Sequence, residues 1–239
     1  MAKPEQKWPN ELIIIRHGQS ARNVQKHKAK QAGVTADYSE GVRDNDTPLT
    51  DIGINQSEET GRAFRFSYPE DTIMRIDACL VSPYLRTRQT QERFVYGLGY
   101  TPKTIIEERI REIEFGIMDG LTPDGMKAKY PEEVARRKRE GKYWFRPLGG
   151  ESRPDVRLRV GMVLNTLTRD YRHKRVVIFC HSVIVLAFRS LLERWGEEEY
   201  MIVDRENDVV NCGITRYVYN ADIGKLILTD YNKVYYTQV

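Results

Sequence analysis

The sequence is poor in the residues that mark disulfide-bonded, metal-binding and membrane proteins. Its 239 residues include only three cysteines, Cys79, Cys180 and Cys212, which lie in or beside apolar runs. An odd number at these spacings fits neither a disulfide framework nor a zinc site. No stretch approaches the roughly 18 consecutive apolar residues of a membrane span, and the opening "MAKPEQKWPN" lacks the apolar core of a secretion signal. We therefore expect a reduced, cytoplasmic protein without a membrane partner.

The sequence also lacks a strong excess of one charge and the motifs that bind cofactors. The net charge is +4 and most basic residues are spread along the chain, which is a weak electrostatic footprint for nucleic acid. We found no Gly-rich phosphate loop, no Asp/His cluster and no internal repeat, so we expect neither a nucleotide cofactor nor a metal. Apolar residues make up 40% of the sequence, enough to form a core without disulfides. We expect one domain over residues 1–239.

Three short apolar runs predict the centre of the fold. The runs "LIII" at 12–15, "ACLVS" at 78–82 and "RVVIFC" at 175–180 show no polar alternation, which is typical of parallel strands buried on both faces. Segments with helical spacing separate them. The C-terminal "ITRYVYNADIGKLILTDYN" has two alternating runs joined by a turn with glycine, which predicts an antiparallel hairpin. The expected fold is a three-layer α/β/α sandwich with a mostly parallel central sheet.

Capping residues mark the predicted helices. Thr50 and Ser152 stand where N-caps are expected, and Ser82 followed by Pro83 indicates a third helix start. We expect the helix after Ser82 to stop near Gly97 and the last long helix to close at Gly196. Two stretches fit no core element, at about 24–46 and 119–150; the second contains a predicted helix ending in aromatic residues. We interpret both as inserts that form lids or binding loops.

Cationic or imidazole side chains follow each predicted parallel strand. Arg16 and His17 follow the first, His181 follows the last, and Arg86 lies just after the second. In α/β sheets the carboxyl ends of the strands face the ligand crevice. A single histidine there is more often structural, and a single arginine is unremarkable. Together they predict an anion site, which the start of the helix after His181 would reinforce.

Six stretches occur in a specific order between residues 12 and 186: "RHGQSARN", "PLTDIGINQ", "VSPYLRTRQT", "REIEFGIMDG", "GGES" and "CHSVIV". This ordered set resembles the histidine phosphatase superfamily, also called the phosphoglycerate mutase-like family. Ser20 stands where the acid phosphatase branch has an arginine, so the chain is similar to the branch of mutases and broad-specificity phosphatases. The resemblance implies the phosphoglycerate mutase-like fold.

The resemblance also implies roles for individual residues. His17 matches the nucleophile that becomes a phosphohistidine, and Glu112 matches the proton donor, with Glu114 as its competitor. His181 and Asn23 match positions that hold phosphate oxygens. Independently of the family, Arg16 and Arg86 can each offer planar bidentate donors to a phosphoryl group.

Other positions bear on the substrate. Ser182 stands where many relatives have glycine, and its backbone N–H is expected to help to bind phosphate. Arg22 replaces a tryptophan of true phosphoglycerate mutases, which disfavours mutase activity. Trp144 and Arg146, in "KYWFRP", are candidates to bind an organic phosphate, although ordinary packing of the insert against the domain is the favoured explanation.

The expected function is hydrolysis of a phosphate monoester by way of a phosphohistidine, without a cofactor. The expected partner is a small phosphorylated substrate, and a phosphoprotein stays open. Two alternatives remain at this point: phosphoglycerate mutase-type phosphoryl transfer, and a non-catalytic protein that binds a phosphorylated ligand.

Overall fold

A six-stranded sheet runs through the middle of the molecule, for which a computed structural model describes residues 5–32, 41–206 and 208–237. The strands are β1 (Glu11–Arg16), β2 (Ala78–Val81), β3 (Lys103–Ile106), β4 (Arg175–Cys180), β5 (Ile214–Asn220) and β6 (Lys225–Lys233). Their order is β3-β2-β4-β1-β5-β6. The first four of these are parallel, whereas β5 and β6 are antiparallel to their neighbours.

Strand β1 shows why the apolar runs form a parallel sheet. Residues 12–15 are completely buried, and β1 pairs with β4 in parallel from Glu11 opposite Arg175 to Arg16 opposite Cys180. Leu12 and Ile14 pack into one hydrophobic cluster and Ile13 and Ile15 into the other, as the alternation of a strand requires. Each face of the sheet is therefore covered, and the prediction of buried parallel strands is confirmed.

Helices supply the two covering layers. They are α1 (Ala21–Ala32), α2 (Asp51–Ser67), α3 (Leu85–Leu98), α4 (Pro123–Lys129), α5 (Pro131–Trp144), α6 (Arg153–Asp170), α7 (Ser182–Leu192) and α8 (Glu197–Glu206). Phe64 of α2 and Phe94 of α3 lie in the cluster on one face, and Val160 of α6 and Phe188 of α7 lie in the cluster on the other. The three-layer sandwich and the C-terminal hairpin are confirmed. Within the residues described, no helix combines the length and apolar character needed to span a membrane.

The predicted helix caps are partly right. The hydroxyl of Thr50 accepts from the N–H of Gly53, and Ser152 forms a capping box with Asp155. The start at Ser82 and Pro83 is wrong, because α3 begins at Leu85. Ser82 does not cap this helix, since its hydroxyl lies against a histidine ring on β4's carboxyl end.

The two predicted helix ends are displaced for identifiable reasons. Helix α3 continues past Gly97 to Leu98, and Gly99, at φ 85°, is its C-cap. A Cβ atom on Gly97 would lie 2.3 Å from the carbonyl oxygen of Glu58, so this glycine instead lets α3 approach the backbone of α2. Helix α7 ends at Leu192 rather than Gly196, because Arg194 adopts the left-handed turn, at φ 62°.

The two inserts contain more helix than the sequence indicates. Residues 24–32 belong to α1, residues 44–46 form a 3-10 turn, and residues 33–40 lie outside the described residues. The second insert holds α4 and α5, which are separated by Tyr130, with Pro131 as the first residue of α5. The short edge strand β3 was not predicted, because most of its residues are exposed and it lacks a long apolar run.

Candidate active site

The carboxyl ends of three neighbouring strands meet at one edge of the sheet. Strand β1 ends in Arg16 and leads into His17, β4 leads into His181, and Arg86 lies in the first turn of the helix after β2. The two imidazole rings are 5.3 Å apart, centroid to centroid, and Nε of Arg86 donates to Nε2 of His17 at 3.2 Å. The four residues that the strand ends single out therefore share one buried site.

His17 presents a neutral nitrogen toward this site. Its Nδ1 lies 2.7 Å from the carbonyl oxygen of Gly18. Because a carbonyl oxygen only accepts hydrogen bonds, Nδ1 carries the proton and Nε2 keeps its lone pair. Burial, together with the positive charges of Arg86 and Arg16, holds the pKa of His17 well below its usual value of 6.5. The ring is thus an uncharged base at neutral pH.

His181 lies beside it at the start of α7, of which it is the N-cap. Its Nε2 is 2.8 Å from the hydroxyl of Ser82, and the ring of Tyr84 packs against it. Burial lowers the pKa of His181 well below 6.5, with Arg86 as the next cause. Its buried Nδ1 has no hydrogen-bond partner in the described parts of the chain. Ser182 follows as the first residue of α7, half-buried.

Two guanidinium groups line the site. Arg16 donates through Nη1 to the carbonyl oxygen of Val209, while its buried Nε finds no acceptor among residues 5–32, 41–206 and 208–237. Arg86 binds the carboxylate of Asp44 through both terminal nitrogens, at 3.2 Å and 3.0 Å. The same carboxylate lies 3.3 Å from Nε of Arg22. The carboxylate of Asp44 is therefore an anion of the protein itself that is bound by the guanidiniums of the site.

Glu112 and Glu114, the two candidate proton donors, differ sharply in environment. Glu112 is buried and its Oε1 accepts from the N–H of Ile113 at 2.9 Å. Burial raises its pKa above 4.5, although that hydrogen bond and the charge of Arg86 oppose the rise. The carboxylate of Glu114 is 48% exposed and accepts from the hydroxyl of Tyr84. Burial therefore favours the protonated form of the Glu112 carboxyl.

The "GGES" segment holds the loop around Glu112 in place. Arg159 donates to the main-chain oxygen of Glu112 at 3.2 Å and pairs with Glu151 at 2.9 Å. Glu151 also accepts from the backbone N–H of Glu114 at 3.1 Å. These groups fix the backbone on both sides of the Glu112 side chain, so Glu151 supports the site without entering it.

Asn23 lies close to the nucleophile's backbone. Its Oδ1 accepts from the N–H of Ser20 at 3.0 Å and from Nδ2 of Asn211 at 3.2 Å. Asn211 also donates to the main-chain oxygen of His17 at 2.9 Å. Asn23 is thus tied to His17 through one intervening side chain.

The structure places Trp144 and Arg146 in other contacts. Trp144 is 57% exposed and donates from its indole to Glu197 of α8 at 2.6 Å. Arg146 pairs with Asp155 at the start of α6, at 2.7 Å. Neither contacts the strand-end residues described above, which favours the packing interpretation that the sequence left open for them.

A cavity of about 510 Å³ shares two lining residues with the surroundings of the histidines. Asp44 and Tyr84 line it, and both also contact the strand-end site, through Arg86 and His181 respectively. Its charged lining residues are Arg43, Asp44, Glu108, Arg111, Glu114 and Asp119. A substrate could therefore reach the histidines from this side.

Three residues of the site were not predicted from the sequence. Ser82 follows β2 directly, so the strand-end argument that found Arg86 could also have found it. Asp44 lies in an insert without periodicity, and Asn211 lies in a connection before β5. No local pattern in the sequence distinguishes the last two.

Comparisons with known proteins identify the family of the chain. A family model described as the histidine phosphatase superfamily (branch 1) matches residues 12–230. Phosphoglycerate mutase-like protein AT74H of Arabidopsis thaliana is 29% identical over 234 residues, covering 89% of this chain and 75% of the relative. A 2,3-bisphosphoglycerate-dependent phosphoglycerate mutase of Allorhizobium ampelinum is 28% identical, covering 88% and 90% of the two chains.

Solved structures share the fold. Mycobacterial glucosyl-3-phosphoglycerate phosphatase in complex with VO3 superposes with a TM-score of 0.65 at 21% identity, covering 93% of this chain and 99% of that one. Phosphoserine phosphatase from Entamoeba histolytica, in complex with 3-phosphoglyceric acid, gives a TM-score of 0.66 at 20% identity, covering 94% and 97%. Because the family model spans nearly the whole chain, the protein belongs to branch 1 of the histidine phosphatase superfamily.

Proposed function

We propose that the protein is a phosphomonoesterase that hydrolyses its substrate in two displacements, through a phosphohistidine on His17. The observation that carries the proposal is that two buried groups share the surroundings of Arg16 and Arg86: a neutral His17 and a Glu112 whose pKa is raised. A nucleophile without a proton and an acid with one are the two groups that phosphoryl transfer to a side chain requires.

In the first displacement, Nε2 of His17 attacks phosphorus and the bond from phosphorus to the ester oxygen breaks. The carboxyl of Glu112 gives its proton to that departing oxygen, so the alcohol leaves uncharged. Arg16, Arg86 and His181 stabilise the charge on the three nonbridging oxygens. Asn23 and the N–H of Ser182 add hydrogen bonds to the same oxygens.

In the second displacement, water attacks phosphorus of the phosphohistidine and the bond to Nε2 breaks. The Glu112 carboxylate, now without its proton, accepts one from the attacking water. The products are inorganic phosphate, neutral His17 and protonated Glu112, so the enzyme returns to its starting state.

The substrate class follows from the site and the relatives. Structural neighbours whose names state an activity act on small phosphorylated compounds, and we propose the same for this protein, with phosphoproteins open. Cys79, Cys180 and Cys212 are buried free thiols. We place the reaction in the cytoplasm, where such thiols stay reduced.

A mutase is the second candidate, because relatives at 28% identity carry that name. A mutase would return the phosphoryl group to a sugar acid in preference to water. Arg22, which pairs with Asp44 at the edge of the site, stands where the mutases have tryptophan. Trapping the labelled phosphoenzyme and offering it glycerate separates the two: transfer of the label to glycerate faster than to water would support the mutase.

The proposal is tested by replacing the nucleophile. His17→Ala should lower kcat for 4-nitrophenyl phosphate by roughly 10³-fold or more and abolish acid-labile labelling of the protein. His27→Ala is the matched control, because His27 lies exposed on α1. Circular dichroism should be unchanged in both variants. Full turnover by His17→Ala would refute the proposal, and ligand binding without turnover by the wild-type protein would favour a non-catalytic binding function.

A further inference from the structure

Two buried polar atoms mark the phosphate end of the substrate. Nε of Arg16 and Nδ1 of His181 are both shielded from solvent and make no hydrogen bond within the described ranges. Buried polar groups without a partner are rare in proteins, and at such a site they await a ligand. Under the proposed function, these atoms fix where the phosphoryl oxygens bind.

The organic part of the substrate then extends toward the cavity of about 510 Å³. Tyr84 forms the shared wall: its ring packs 5.0 Å from that of His181, with the guanidinium of Arg86 also 5.0 Å from its centroid. Asp44 forms the other shared wall. A group attached to a phosphate at the histidines is therefore within reach of the cavity lining.

That lining carries more negative than positive charge. Its carboxylates belong to Asp44, Glu108, Glu114 and Asp119, against the guanidiniums of Arg43 and Arg111. Arg111 is paired with Glu151 at 3.0 Å, outside the lining, and lies 3.7 Å from Glu114 within it. The side chain of Arg43 is 79% exposed and lies 4.0 Å from the carboxylate of Asp46. The lining therefore has four carboxylates against two guanidiniums.

Two of the carboxylates are well placed to accept hydrogen bonds from a ligand. Glu114 uses one oxygen for Tyr84, and Asp119 contacts Arg22 through one oxygen at 3.4 Å. The pKa of Asp119 is raised, first by burial and, against the pull of Arg22, by the charges of Asp44 and Glu114. A hydrogen-bond donor or a cation entering the cavity would relieve this repulsion, and a further anion would increase it.

We infer that the cavity selects phosphate monoesters whose organic part donates hydrogen bonds, as hydroxyl or ammonium groups, and rejects monoesters with a second acidic group. Glu114 and Asp119 are the specificity-determining residues. The inference deepens the proposed function, on which it rests. It predicts selectivity against phosphoglycerates, whose carboxylate would meet like charge.

The sharpest comparison uses glycerol 3-phosphate and 3-phosphoglycerate, which share a carbon skeleton and differ by a hydroxymethyl group against a carboxylate. We expect kcat/KM to favour glycerol 3-phosphate by about tenfold or more, the size of one like-charge contact in a partly solvated site. In the double variant Glu114→Gln, Asp119→Asn the ratio should fall at least about fivefold toward unity. Asp124→Asn, an exposed carboxylate on α4, is the control and should keep the wild-type ratio.

Binding to His17→Ala, measured by calorimetry with the same two compounds, separates this inference from the catalytic proposal. A preference for glycerol 3-phosphate in binding, with no turnover by the wild-type protein, would refute the phosphatase proposal and support the cavity's selectivity. Equal or tighter binding of 3-phosphoglycerate, or a ratio that the double variant leaves unchanged, would overturn the inference.

Discussion

Strand β1 has a buried charged cluster at each end, and the two clusters are built in opposite ways. At its amino end, the carboxylate of Glu11 is buried and accepts from the hydroxyl of Tyr68 at 2.8 Å. It also pairs with Arg175 at 3.2 Å and with Arg216. Arg216 also lies 3.7 Å from the carboxylate of Asp230. Two guanidiniums therefore face two carboxylates, and the charges of the amino-end cluster balance.

At its carboxyl end, Arg86 pairs with the carboxylate of Asp44, but the buried Nε of Arg16 has no acceptor among the described residues. The negative charge that most supports Arg16 is that of Asp208, and the raised pKa of Glu112 favours the neutral form of that side chain. The carboxyl-end cluster therefore keeps a buried donor for an anionic ligand. Burial of charge alone does not identify a functional site, whereas a buried donor that the protein leaves without an acceptor points to one.

The largest effect should come from Glu112→Gln, which removes the proposed acid from the carboxyl-end cluster. We expect kcat for glycerol 3-phosphate to fall by roughly 10²- to 10⁴-fold. With 4-nitrophenyl phosphate, whose leaving group needs little protonation, one nitrophenolate per enzyme should appear in a rapid burst before slow turnover. Stopped-flow absorbance measures both. A comparable loss with Glu114→Gln but not with Glu112→Gln would assign the proton donor to the exposed residue.

A slightly smaller effect, on stability and not on catalysis, is expected at the amino-end cluster. Glu11→Ala removes a buried carboxylate from the partly buried guanidiniums of Arg175 and Arg216, of which Arg216 keeps Asp230. The free energy of unfolding should fall by about 3 kcal/mol, the lower end of the range for breaking a buried ion pair. Urea titration measures it, and kcat per folded molecule should be unchanged. Asp170→Ala, which breaks an exposed pair with Arg169, should cost no more than about 0.5 kcal/mol. A loss of activity in the folded Glu11 variant would contradict the division between the two clusters.

The smallest effect concerns pH. Because His17 and His181 have lowered pKa values in the folded protein, the unfolded chain takes up their protons first as the pH falls below about 6.5. Their contribution to stability is present above that pH and is lost toward the lowered pKa values, by up to about 1.4 kcal/mol per pH unit for each histidine. Urea titrations at pH 7, 6 and 5 should show a shallower dependence in His17→Asn. His27→Asn should behave as wild type, and an unchanged slope in His17→Asn would contradict the pKa direction.

The fold was predictable where local pattern and tertiary packing agree. The runs that form β1, β2 and β4 are buried on both faces, so their lack of alternation is informative. The helix stop predicted near Gly97 lies one residue from the observed end at Leu98, although Gly97 itself serves the contact between α2 and α3. The closure at Gly196 was wrong, because Arg194 makes the turn that glycine usually makes. A single sequence carries no local mark of either.

The residues of the candidate site were also predictable only in part. The strand ends of a parallel sheet converge whatever the length of chain between them, so the sequence predicts that the residues there come together: Arg16, His17, Arg86 and His181. Asp44 was not, because an insert's position over the sheet depends on long-range contacts. The roles of these residues remain proposals that the variants above test.

The position of Asp44 has a consequence for turnover. Its carboxylate occupies the terminal nitrogens of Arg86, the same atoms that would bind phosphoryl oxygens. If the phosphoryl group binds there, substrate capture is an ion exchange, in which one anion displaces another from the guanidinium. The affinity for inorganic phosphate is then set by the difference between two interaction free energies, that of Arg86 with phosphate and that of Arg86 with Asp44. When the Asp44 carboxylate returns to Arg86, it helps inorganic phosphate to leave.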